Sequence, residues 1–149
     1  MPTRTFLAQV RAAAIASTLG VSAFAAVQPT ATIDKPKQRT VTEGGCRILS
    51  DNSTFSGTWG PSALPMLALT IGPGSAMADA MHANKAKYAG PGRYTNEIIA
   101  VYLGKTALED SYGGLGTVVI APDGHSGTFD LNDHKASGHF DCGVAPSRP

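Results

Sequence analysis

The stretch Gly116–Cys142, GTVVIAPDGHSGTFDLNDHKASGHFDC, decides the fold class. It divides into three short runs, Thr117–Ala121, Gly127–Leu131 and Gly138–Cys142. Pro122-Asp123-Gly124 separates the first two, and Asn132-Asp133-His134-Lys135 the last two. Proline presets one turn dihedral and glycine supplies a positive φ, so Pro-Asp-Gly between apolar runs predicts a hairpin by mechanism. The three runs therefore form a closing meander of antiparallel strands.

A small pattern recurs in this stretch and outside it. Ser126-Gly127-Thr128-Phe129 and Ser137-Gly138-His139-Phe140 match, Ser56-Gly57-Thr58-Trp59 is a third copy, and Gly92-Arg93-Tyr94 is a looser fourth. Residues two apart in a strand share a face. Each glycine thus sits on the side of its aromatic ring, which suits a ring packed over neighbouring backbone. The irregular spacing does not describe a solenoid.

Working upstream, Gly104–Gly116 contains four glycines and reads as a loop, whereas Glu97–Leu103 (EIIAVYL) is β-branched and aromatic and reads as a central strand. Leu64–Ile71, Thr54–Trp59 and Gly45–Ser50 supply further strands. Ser75–Lys87 is ambiguous. Alanine, methionine and lysine favour a short helix capped by Ser75, while Met77–Ala83 also serves as a strand. Many short strands with glycine- and proline-rich turns give an all-β class, an antiparallel β-sandwich or small barrel with room for one short helix. The folded domain is expected over 41–143, with a frayed tail at 144–149.

The N-terminal stretch has another character. Arg4 and Arg11 precede the apolar run Ala12–Val21, and Ala23 and Ala25 fit an A-x-A cleavage site. Residues 1–25 therefore read as a signal peptide, and the product as secreted, periplasmic or at the cell surface. The run is too short to span a bilayer, as is every later apolar segment. Residues 26–40, rich in proline and polar side chains, read as a flexible linker. Without Arg4 and Arg11, 10 basic residues face 11 acidic ones, about −1 in all. That balance gives no footprint for nucleic acid or for an anionic membrane.

Cys46 and Cys142 are the only cysteines, and in an exported chain they imply one disulfide closing nearly the whole domain. They lack the C-x-x-C spacing of a redox pair. Cys46 follows Glu43-Gly44-Gly45, which is not an apolar lipobox, so a lipid anchor is not expected.

Strand alternation also nominates a polar constellation. With Gly127, Phe129 and Leu131 facing in, Thr128 and Asp130 face out; with Gly138, Phe140 and Cys142 facing in, His139 and Asp141 face out. Asp130, His139 and Asp141, with Asp133 and His134 in the turn, suit a divalent metal and a metal-dependent hydrolase. The competing reading is an ordinary solvated sheet face. Gly124-His125-Ser126-Gly127-Thr128 falls short of a nucleophile elbow, because threonine stands where G-x-S-x-G needs glycine and the context is a hairpin. Gly113-Gly114-Leu115-Gly116 precedes a strand, which argues against a phosphate cradle. Met66, Met77 and Met81 with the aromatic residues suit either a core or an adaptable pocket for a lipid or other apolar ligand. His82 reads as a surface residue. No catalytic residue and no cofactor is read from the sequence.

The signal-like start, the Pro/Thr-rich lead-in, Cys46 at an early strand and the terminal S-G-x-F-D-C of Ser137–Cys142 resemble small exported bacterial β-sandwich proteins of the mycobacterial 19-kilodalton lipoprotein-antigen type. The resemblance implies a non-enzymatic envelope protein that carries a lipid or meets a partner, and it transfers no functional residue. The chain departs from that family in lacking a cysteine for lipid attachment. The expectation is a non-catalytic binding or structural protein, with an unidentified protein or an apolar small molecule as its partner.

Overall fold

The computed structural model describes residues 27–146, so the signal-peptide reading and the end of the expected tail lie outside the described residues. Among the described residues there are nine strands: β1 Thr30–Lys35, β2 Arg39–Val41, β3 Gly44–Ile48, β4 Phe55–Trp59, β5 Leu67–Ile71, β6 Gly92–Tyr102, β7 Ser111–Ile120, β8 Ser126–Leu131 and β9 Ser137–Asp141. All pair antiparallel in one sheet of order β2-β1-β9-β8-β7-β6-β5-β4-β3. The all-β class and the Cys46–Cys142 disulfide are as expected from sequence. Of the two architectures expected, the single sheet stands nearer the barrel. It curls into a half-barrel, because Cys46 on edge strand β3 bonds Cys142 just beyond β9, with Cα atoms 5.2 Å apart.

The concave side holds the core. Along β4, β5 and the second half of β6, Phe55, Trp59, Leu67, Leu69, Ile71, Ile99 and Val101 alternate inward and are almost fully buried. Rings cross the interior in series: Trp59 to Phe140 at 5.0 Å, Phe140 to Phe55 at 6.4 Å, Phe55 to Tyr88 at 5.1 Å and Tyr88 to Tyr94 at 5.6 Å. Each such contact adds about 0.5–1.5 kcal/mol to the burial of its rings.

The serine-glycine-aromatic repeats have the predicted packing. On β8 and β9, Gly127 pairs with Phe140 and Phe129 with Gly138. A Cβ at Gly127 would lie 2.6 Å from the Phe140 ring, and one at Gly138 would lie 3.0 Å from Phe129. Each ring therefore covers the opposing glycine. In β4 the Trp59 ring folds back over Gly57.

Three expectations are corrected. The 26–40 stretch is not all linker, since Thr30–Lys35 is an inner strand with Ala31 and Ile33 fully buried. Folding thus begins well before Val41. Ser111–Gly116 belongs to β7 and not to a loop; at Gly116 a Cβ would stand 2.4 Å from the Asp130 backbone carbonyl oxygen and 2.5 Å from Ile99 Cδ1. Ser75–Lys87 forms neither strand nor helix. The Ser75 hydroxyl does accept from Met77 N, but the following backbone bonds step irregularly (Ala78 to Ser75, Met81 to Met77, Ala83 to Ala78) and His82 turns to a φ of 54°. A repeating i→i−4 ladder never forms, so the segment is a string of turns.

Candidate functional site

The polar face is the convex side of β1, β9, β8, β7 and the start of β6. Pairing registers align its side chains in rows. Arg93, Val119, Thr128, His139, Thr32 and Thr40 form one, and Thr117, Asp130 and Ser137 form another. Asp130, His139 and Asp141 do share this face, as alternation predicts.

They do not meet around one point. Asp130 Oδ2 accepts from His134 Nδ1 at 2.7 Å, Asp34 Oδ2 from His139 Nδ1 at 3.2 Å, and Asp141 Oδ1 from His125 Nδ1 at 3.0 Å. Three separate carboxylate–imidazole pairs result. Among the described residues no group of three or more His, Cys, Asp or Glu is arranged to hold a metal ion. Because an ionised carboxylate only accepts, each neutral imidazole carries its proton on Nδ1 and keeps Nε2 as an acceptor. Asp141 Oδ1 also accepts from Gly143 N at 2.7 Å, which fixes its carboxylate.

The pairs border two adjoining clefts. The larger, about 490 Å³, is lined by Thr117, Thr128 and Ser137 together with Asp34, Asp130 and Arg93. The smaller, about 360 Å³, reaches Thr30, Ser126, His139 and Asp141, and shares Thr128. Ser126 is the hydroxyl nearest in sequence to a His–Asp pair, yet its Oγ donates to Asp123 Oδ2 at 2.5 Å. Asp123 also accepts from the backbone amides of His125 and Ser126, both at 2.9 Å. These bonds, led by the Ser126 hydroxyl, hold its carboxyl down at about 2. Asp123 is thus a turn-forming residue that also holds the Ser126 hydroxyl.

The methionines do not gather in one pocket. Met66 is buried and borders a separate cleft of about 250 Å³, while Met77 is exposed. His82 is exposed, as expected.

One titratable residue escaped the sequence reading. Glu97 stands inside the core, 1 % exposed, beside a register shift between Tyr94 and Glu97 in the β6–β7 ladder. Its Oε2 accepts from Gly72 N at 3.3 Å, and its Oε1 has no hydrogen-bond partner among the described residues. Burial pushes its carboxyl up to about 7, only partly offset by the Gly72 amide. The sequence signal was faint: a lone charge at the head of an apolar run resembles a strand end in water.

No protein-family model, curated protein or solved structure matches this chain.

Proposed function

We propose that this is an exported, non-catalytic binding protein of the cell envelope or secreted fraction, and that the convex face of β1, β9, β8 and β7 takes an uncharged, hydroxyl-rich ligand such as a short glycan. The observation that carries the reading is the cleft of about 490 Å³ with its mixed lining. Carboxylates at Asp34 and Asp130 accept, Arg93 and Asn132 donate, and the hydroxyls of Thr117, Thr128 and Ser137 do either. A ligand whose own groups both donate and accept uses all of them. An anion would meet Asp34 and Asp130, and a cation would have to displace the histidines already paired with them.

Two further observations favour binding over the other readings. Ser126, next to the His125–Asp141 pair, is held by Asp123, and the tilted rings of Trp59, Phe140, Phe55 and Tyr88 occupy the interior that an apolar cargo would need. Export rests on the charged-apolar-small pattern of residues 1–25 and agrees with a disulfide over 96 residues.

Calorimetric titration with short neutral gluco- and manno-oligosaccharides tests the proposal. Saturable binding is expected, with Asp130→Ala weakening it about tenfold through loss of charge-assisted hydrogen bonds. Absence of binding across neutral sugars, or binding indifferent to Asp130, would overturn it.

A further inference from the structure

A second surface, at the β6–β7 end of the sheet, is built differently. The β6–β7 hairpin ends in the loop 103–110, pinned by Leu103 N to Asp110 O at 3.0 Å and Glu109 N to Thr106 O at 3.2 Å. This turn holds Leu108 out in water, 95 % exposed. One exposed leucine is ordinary in itself. Here, however, the base of the same loop borders an apolar groove of about 250 Å³, formed by Val41, Leu64, Met66 and Tyr102 and flanked by Arg39 and Lys105. Knob and groove lie within a few residues of each other, and the knob does not enter its own groove.

The charges around them are opposite in sign. Leu108 is followed by the exposed carboxylates of Glu109 and Asp110, while the groove carries the two cations. Among the described residues Lys105, Glu109 and Asp110 form no ion pair, and Arg39 donates only to the carbonyl of Leu103, at 2.7 Å. A two-fold dimer needs a patch complementary to itself, in which residue i meets j and j meets i. An apolar knob with acidic flanks beside an apolar groove with basic flanks is such a patch.

We propose that two copies of this chain associate about a two-fold axis, each seating its Leu108 tip in the groove of the other. Glu109 and Asp110 then face Lys105 and Arg39 of the second copy. The contact is small, so association is weak and reversible, and salt weakens it further.

Sedimentation velocity on the oxidised chain tests this. The weight-average mass is expected to rise from one chain toward two between about 10 µM and about 1 mM, the range of weak interfaces. Leu108→Ser is expected to raise the dimer dissociation constant about tenfold or more, as loss of a central apolar anchor does. Ala63→Glu, which places a carboxylate at an exposed position of the groove, is expected to do the same. Both positions are exposed, and near-ultraviolet circular dichroism from Trp59 checks that each variant is folded. A chain that stays monomeric at about 1 mM overturns the proposal, whatever else the groove binds. So does a dimer that folded Leu108→Ser leaves unchanged.

Discussion

Trp59 Nε1 donates to the backbone carbonyl of Asp141 at 3.1 Å, joining β4 to β9 across the mouth of the half-barrel. The two strands stand five places apart in the sheet, so this bond exists only because the sheet curls. The Trp59 ring rests on Phe140 and is fully buried, and the disulfide lies one residue beyond Asp141. Trp59→Phe keeps a ring and loses the bond, and is expected to cost about 1 kcal/mol. Trp59→Ala also loses the packing, at about 3–5 kcal/mol. Urea unfolding of the oxidised proteins measures both.

The disulfide closes the same seam. Replacing Cys46 and Cys142 together by alanine is expected to lower stability by up to about 4–5 kcal/mol, the chain-entropy value for a loop near a hundred residues. Denaturant midpoints of the two proteins give the difference directly. A change under about 1 kcal/mol would mean that rings and sheet close the half-barrel unaided.

Glycines of one sheet divide into two classes. Gly138→Ala would drive a methyl against the Phe129 ring and the Thr32 carbonyl, so a loss of about 2 kcal/mol or more is expected. A Cβ on Gly113 would find its nearest neighbour, the Ile99 carbonyl oxygen, 3.8 Å away. Gly113→Ala is therefore expected to be neutral or slightly stabilising, by up to about 1 kcal/mol. Thermal unfolding of the pair separates ring-over-backbone packing from a general intolerance of side chains.

Glu97 makes stability depend on pH. Its carboxyl titrates near 7 when folded, against an ordinary 4.5, so between these values the folded state holds more proton than the unfolded. The contribution of Glu97 to stability is then greatest below pH 4.5, falls as pH rises toward 7 and levels off above it, by about 3 kcal/mol in all. Glu97→Gln is expected to flatten that fall and to be more stable than the parent at pH 8. Equilibrium unfolding at several pH values reads both effects; an unchanged slope in the variant would assign the dependence to other groups.

The closing meander was legible because local signals agreed there: turn chemistry at Pro122-Asp123-Gly124, alternation through Phe129 and Phe140, and a cysteine at the end. Alternation also put Asp130, His139 and Asp141 on one face, but it says nothing of how far apart they stand along that face. Their actual partners, His134, Asp34 and His125, come from turns and from a strand hidden between Pro29 and Pro36. Thr30-Ala31-Thr32-Ile33 carries its own short alternation, yet flanking prolines made it look like linker. Glu97 was hidden for another reason. Alternation back from Val101 and Ile99 does put Glu97 on the inner face, but the register slips just before it, where Asn96 takes a φ of 58°, so no inward neighbour two residues upstream marks the charge as buried and not as a strand end in water.

The most direct test of the binding face is a nitrogen–proton correlation spectrum of the oxidised chain, titrated with the short neutral oligosaccharide that calorimetry ranks highest. Amide shifts are expected to concentrate at Thr117, Thr128, Asp130, Ser137 and His139, leaving β4 and β5 unmoved. Shifts centred on the groove of Leu64 and Tyr102, or none at saturating sugar, would contradict it.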